Sequence, residues 1–338
     1  MASGIRASLI PAATATLVVC LLVTLYVQAQ QSPASSTPSD ADATAFLCPM
    51  HPDYTLDIAG TCPRCGMALV RGAPFDVRDY ALELTTDPAV VQPGQPARWR
   101  FRAFHPGTGQ AVLKFETVHE RQYHLFVISQ DMTHFQHIHP ELQPDGTWVI
   151  DVTLPKGGYY KVLSDFLPAG GASQFIARPL VTAGYKGDLA GDSARLTPDT
   201  SATQTVGDLT ARISYDPSPF VAGLYGHLRF SLTDTATAQP ITNLQTYLGA
   251  FGHMLIMSED LNEYVHSHSL DIVPGGNDDE DMPQFVIPPG TDLEKLRGGP
   301  DVIFDGLMPK PGRYRAWTQF RRNDTIHTFV TTFEVGER

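Results

Sequence analysis

The sequence predicts a mainly β protein built of antiparallel strands, and three observations carry that prediction. Apolar and basic residues alternate through ARWRFRAF at 97–104, the period-two pattern of a half-buried strand. Short strand-like runs are punctuated by PGQP, PDG, PKGG and PKPG in units of about 110 residues, and no window of useful length has a helical repeat. Sliding the chain by 129 residues lays 91–140 over 220–269 without a gap, with 11 of 50 positions identical. Two copies of one domain follow. They are expected as tandem antiparallel β-sandwiches of immunoglobulin or cupredoxin type, with a pair of eight-stranded barrels as the alternative architecture.

Residues 1–29 read as a signal peptide or membrane anchor. One basic residue, Arg6, precedes an apolar run from Leu9 to Val27, and Val27-Gln28-Ala29 has the small-x-small form of a signal-peptidase site. Cleavage after Ala29 is the expectation, although about 19 mostly apolar residues are also long enough to remain in a membrane. The chain is therefore expected outside the cytoplasm, periplasmic or secreted, or anchored there by an uncleaved helix. Cys20 lies inside the apolar run behind Val19, where a lipoprotein signal places a small residue, so it reads as an apolar residue and not a lipidation site. Residues 30–44, QQSPASSTPSDADAT, form a Ser/Pro/Ala/Asp linker with no apolar period to bury, and are expected to be disordered.

Residues 45–72 form a compact Cys-rich module. Cys48-Pro-Met50-His51 and, ten residues beyond the following proline, Cys62-Pro-Arg-Cys65-Gly-Met67 bring three thiols, an imidazole and two thioethers into one short stretch. Thiolates and thioethers are soft ligands that suit Cu(I) and Zn²⁺, and the C-x2-C turn aims two sulfurs at one centre. Cys48 is the third ligand of that reading and His51 the fourth, while Met50 and Met67 tilt it toward copper. With Cys20 in the export segment, three cysteines remain, so a disulfide would leave one over. So small a piece cannot hold itself folded by apolar burial, which leaves a purely structural zinc as the alternative to a transferable metal.

FLCPMHPDYTLDIAGTCPRCGMALV resembles the heavy-metal-binding domain of copper-transporting P-type ATPases and of periplasmic adaptors of metal-efflux systems. The likeness departs where Ala59-Gly60 replaces Pro-Gly and where Arg71 replaces a closing proline, neither a ligand position. It implies extracytoplasmic heavy-metal binding, with Cys48, Cys62 and Cys65 as ligands.

Repeat 1 is placed at 73–184, a linker at 185–205 and repeat 2 at 206–338. The last strands, PKGGYYKVLSDF and PKPGRYRAWTQF, match at an offset of 154, so repeat 2 carries 25 extra residues; that insert, containing GGNDDEDMPQF, reads as a polar surface loop. Both repeats share the spacing H-x12-H-x-H: His124, His137 and His139 in the first, His253, His266 and His268 in the second. Residues two apart on a strand share a face, and a hairpin closing near Gln130-Asp131 would place His124 across from His137, with His253 against His266 in the second copy. Each copy is thus expected to hold its own triad of neutral imidazoles, suited to Cu(II), Zn²⁺ or Ni²⁺. His119 and His134 become Leu248 and Glu263 in repeat 2, and His105 becomes Asp234, so only the shared three are expected to be essential. Ligation requires neutral rings, so metal is expected to be lost as pH falls through the histidine range. The alternative is that the rings merely pack and hydrogen-bond within the sheets.

The pairing of an H-x-HP strand with a later PxxGxY strand, at 137–140 and 155–159, resembles YtkA-like and CopC-like exported copper-associated β-sandwiches. Repeat 2 departs from it with Ser269 in place of the proline. No G-x-S-x-G, phosphate-cradling glycine loop or H-E-x-x-H is present, and the repeats contain no cysteine for a blue-copper centre. The formal charge of −12 argues against nucleic acid. The function expected is non-enzymatic: an exported heavy-metal-binding protein, copper first and zinc second, that sequesters or delivers metal, with a metal-efflux or copper-handling membrane protein as partner. A zinc-stabilised interaction scaffold without metal transfer is the competing expectation.

Overall fold

Alternating and continuous apolar runs sort the strands into layers. The computed structural model describes residues 45–49, 54–63, 68–72, 79–187, 193–270 and 292–338. All of these fall in one compact unit. The segment expected as a signal peptide or anchor at 1–29, the expected linker at 30–44 and most of the insert expected as a polar loop lie outside the described residues.

The Cys-rich module is a three-stranded antiparallel sheet in the order β2-β1-β3, from Ala45–Leu47 (β1), Thr55–Leu56 (β2) and Val70–Gly72 (β3). Repeat 1 follows as Ala81–Asp87 (β4), Pro96–Phe104 (β5), Phe115–Glu116 (β6), Tyr123–Ser129 (β7), Phe135–Ile138 (β8), Glu141–Leu142 (β9), Thr147–Thr153 (β10), Tyr159–Pro168 (β11) and Gln174–Val181 (β12). Its sheets are β4-β5-β10-β9 and β12-β11-β7-β8, with β6 on β11. The alternation in β5 does what its sequence says: Ala97, Trp99, Phe101 and Ala103 are buried, and the arginines between them face outward. Trp99, Phe101, Tyr123, Trp148 and Phe166 fill the space between the two sheets.

Repeat 2 comprises Thr203–Val206 (β13), Leu209–Asp216 (β14), Phe220–Val221 (β15), Tyr225–Asp234 (β16), Leu244–Gln245 (β17), His253–Ser258 (β18), Tyr264–Leu270 (β19), Arg297–Gly298 (β20), Asp301–Leu307 (β21), Gly312–Arg322 (β22) and Thr325–Gly336 (β23). Its layers join into one continuous sheet, because β19 runs on to pair Ser269 with Phe304 and Leu270 with Ile303 of β21. In repeat 1 the matching position is Pro140, which has no N–H to donate, and β8 stops at Ile138. The chain there instead begins β9, pairing Leu142 with Trp148 and Glu141 with Val149. One residue thus separates an open sandwich from a joined one.

The hairpin register differs from the sequence expectation by two residues. Phe126 lies opposite His137 and Leu125 opposite Ile138, while in repeat 2 His253 lies opposite His268 and Leu255 opposite His266. The cause is a four-residue loop in place of a two-residue turn. Ser129 Oγ donates to Asp131 Oδ1 at 2.6 Å and accepts from His134 N at 2.9 Å; Ser258 and Asp260 repeat this at 2.5 and 2.9 Å. Met132 and Leu261 take φ of 55° and 61° to complete the reversal. A shift of two keeps every side chain on its expected face.

The two repeats pack on one another through the faces that carry the histidines. Every residue of β7 is buried, since Tyr123, Leu125 and Val127 enter the core of repeat 1 while Phe126 and Ile128 meet Leu255, Met257 and Trp317 of repeat 2. Phe135 stacks on Trp317 with centroids 4.9 Å apart and planes within 4°. Reciprocal bonds cross the seam: Arg315 Nη1 donates to the Met132 carbonyl at 3.0 Å, and Lys161, at the corresponding place in repeat 1, donates to the Leu261 carbonyl. The seam also takes in Ala194 and Leu196, which are buried there, so the segment 185–205 is packed structure in its second half and not a free linker. Strand β13, starting at Thr203, overlaps its end.

Trp317→Ala should lower unfolding stability by about 3–4 kcal/mol, the usual cost of emptying a large aromatic site, whereas Val90→Ala at an exposed position should change it by no more than about 0.5 kcal/mol. Denaturant titration of both variants measures this, and a loss below about 1 kcal/mol for Trp317→Ala would show that the seam contributes little.

Candidate metal centre

Of the Cys-module residues, Cys48 and Cys62 are described: both are buried, packed with Leu69 against Phe46, Tyr54 and Leu56. Met50, His51, Cys65 and Met67 lie outside the described residues.

The histidines converge in one place, and the grouping differs from the two within-copy triads. Strand periodicity puts His124 with Phe126, His137 with Phe135, His253 with Leu255 and His266 with Tyr264 on the faces that meet at the seam. Ligand atoms then gather across the repeats. His124, His137 and His266 form one group, and His119, His253 and His268 form the other; within each, one ring nitrogen from every residue lies within 4.8 Å of the others. His139 joins the first group, its Nε2 3.3 Å from His124 Nδ1. His119, set aside in the comparison of copies, stacks on His268 with centroids 3.4 Å apart. It is carried into place by a tight turn, His119-Glu120, in which both residues have positive φ, 49° and 62°. Such backbone is costly away from glycine, and the corresponding Leu248-Gly249 turn adopts it too. His134, His105 and His227 are not among these groups.

Acceptors around the cluster set the ring orientations. His266 Nδ1 lies 2.7 Å from Asp165 Oδ2, and His137 Nδ1 lies 2.9 Å from Gln319 Oε1. Gln319 Nε2 donates to Thr328 Oγ1 at 3.3 Å, which fixes the amide so that Oε1 faces His137. His124 Nε2 lies 3.0 Å from the Val118 carbonyl, and His253 Nε2 3.2 Å from the Leu248 carbonyl. Carbonyl and carboxylate oxygens only accept, so each of these outer nitrogens carries the proton and each inner nitrogen carries a lone pair. This is the outer shell by which metal-ligating imidazoles are oriented. The inner atoms are arranged as a cation would need: His124 Nδ1 and His137 Nε2 face each other at 3.1 Å, two lone pairs in hydrogen-bond range. His253 Nδ1 and His266 Nε2 are buried with no hydrogen-bond partner.

Protons are poor occupants of this space. Burial lowers His124 to about 4 and His139 to about 3, with His266 and His124 respectively adding to the effect as neighbouring imidazoles, and it holds His137, His253 and His268 well below the ordinary histidine value. A cation that accepts several imidazole lone pairs at once satisfies the same atoms. The chemistry of the donor set therefore fits a borderline metal ion, Cu or Zn²⁺, better than a hard one.

The family profile described as a domain of unknown function (DUF8832) matches residues 76–180 and 204–337, and the heavy metal binding domain profile matches residues 46–71. No curated protein matches the chain. Among solved structures, the Escherichia coli adhesin FdeC is similar at 11% identity and a TM-score of 0.23, over 79% of this chain and 67% of that one. The Yersinia pseudotuberculosis adhesin InvE is 9% identical with a TM-score of 0.21, over 75% of this chain and 60% of its own. Domains 4 and 5 of the S-layer protein SbsC are 12% identical with a TM-score of 0.19, over 77% of this chain and 99% of that one. Likenesses of this size carry no argument about function.

The lowered histidines make a prediction for the metal-free chain. Above the unfolded value of 6.5 both folded and unfolded states are neutral at His124; below it the unfolded chain binds a proton that the folded chain refuses until about pH 4. Stability is therefore lost as pH falls from 6.5 to about 4, by on the order of 3 kcal/mol for His124 alone. Denaturant titrations of the chelator-treated chain at pH 7.5, 6 and 4.5 check this; equal stability at all three would refute the burial of neutral rings.

Proposed function

The chain belongs to the family described as a domain of unknown function (DUF8832) and carries a heavy metal binding domain ahead of it, and on that premise we propose that it is an extracytoplasmic protein that sequesters or delivers copper, with zinc as the second candidate. The observation that carries the reading is the convergence of seven histidines, with inner lone pairs turned toward each other, in the same chain as a heavy-metal-binding module. A soft thiolate site and a cluster of neutral imidazoles together suit an element that passes between Cu(I) and Cu(II). The export-like segment at 1–29 supports a location outside the cytoplasm. The role is binding and not catalysis, and the donor or acceptor is a metal-efflux or copper-handling membrane protein.

One observation favours a second reading for the module. Among the described residues its buried apolar set is Leu47, Cys48, Cys62 and Leu69, too little to fold a piece of this size, so a bound zinc would stabilise it as an interaction knob.

Elemental analysis of the purified full chain, with Cu(I) competition by a chelator, separates the readings. The expected result is copper bound at both places, with Cys48→Ser weakening Cu(I) retention by tenfold or more while histidine-bound metal persists. A single zinc that survives His124→Ala combined with His137→Ala, with no copper uptake, would leave the zinc-stabilised scaffold as the correct reading.

A further inference from the structure

We infer that the histidine cluster is one two-metal centre whose ligand sets are exchanged between the repeats, so that each ion is held by residues of both. This rests on the metal-binding reading above and specifies its sites. The first site is His124 and His137 of repeat 1 with His266 of repeat 2, and His139 stands 3.3 Å from His124 Nδ1 as a fourth donor. The second is His253 and His268 of repeat 2 with His119 of repeat 1.

Three observations support exchange over separate triads. The outer hydrogen bonds are themselves exchanged: Asp165 of repeat 1 orients His266 of repeat 2, and Gln319, at the corresponding place in repeat 2, orients His137 of repeat 1. The buried inner nitrogens, His253 Nδ1 and His266 Nε2, belong to the same repeat yet fall in different groups. The groups also abut, with His266 and His268 centroids 4.5 Å apart and those of His124 and His253 6.4 Å apart, so two ions bound there would be near neighbours. Site two has three imidazoles and leaves a position for water or an incoming donor, whereas site one has a fourth histidine at hand.

The exchange has a distinctive signature in variants. His119→Leu copies the residue that repeat 2 carries at the corresponding turn, with the same sign of φ, and so tests the ligand with little risk to the fold. The probe is Cu²⁺ added to the chelator-stripped full chain in which Cys48, Cys62 and Cys65 are replaced by serine, with folding checked by circular dichroism. The expected result is two copper ions per chain with a dipolar-broadened electron paramagnetic resonance spectrum. His119→Leu should reduce this to one ion with a sharp mononuclear spectrum. His124→Gln with His266→Gln should also leave one ion, since both residues belong to the first site. If the ligands instead group within each repeat, His119→Leu keeps two ions and the double variant keeps none, and the inference is overturned while the proposed function stands. A serine-substituted chain that binds one copper overturns the inference alone; one that binds none overturns the histidine part of the proposed function as well.

Discussion

The centre of this molecule depends on one constraint: two β7- and β18-type strands are buried on both faces, so each repeat must present an apolar face to the other as well as to its own core. Phe126, Ile128, Leu163, Leu255, Met257 and Trp317 supply the apolar part of that contact. The polar part is divided between the hairpin loops, where Arg315 and Lys161 bond the Met132 and Leu261 carbonyls, and the opposite end, where the histidines lie. Burying so many imidazoles is unfavourable unless their nitrogens find partners, and at His124, His137, His253 and His266 the protein supplies one acceptor to each ring, from Asp165, Gln319 and two backbone carbonyls. The other nitrogen of each of these four rings points inward. Apolar packing thus brings the rings together, and the same packing excludes the water that would otherwise satisfy them.

Much of this was legible in the sequence. The alternation at 97–104, the internal offset of 129 residues and the H-x12-H-x-H frame all describe properties of single strands and hairpins, where side-chain direction follows from a period of two. Which face meets which was not legible, because periodicity names a buried face without naming its partner. A signal for the seam existed nonetheless: YHLFVIS is apolar or aromatic at nearly every position, the mark of a strand covered on both sides, and not the alternating mark of an outer sheet. The hairpin register was missed for a local reason. Ser-x-Asp at 129–131 and 258–260 encodes a loop closed by side-chain bonds, which is longer than the two-residue turn assumed from the hairpin alone.

The two copies differ where their roles in the cluster differ. His119 stands against Leu248 and His139-Pro140 against His268-Ser269. The first pair gives one group an imidazole that its counterpart lacks. The second decides whether the histidine strand ends or continues into the neighbouring layer, and so how rigidly its last ring is held. A comparison that retained only shared residues therefore discarded His119, which the fold brings against His268 of the other repeat.

The reciprocal bonds across the seam, Lys161 to Leu261 and Arg315 to Met132, His266 to Asp165 and His137 to Gln319, are those of a contact between like surfaces. Separate subunits making such a contact would assemble only above a threshold of protein concentration. Joined in one polypeptide, the two surfaces meet at a fixed effective concentration, so the contact persists at dilutions where free subunits would drift apart.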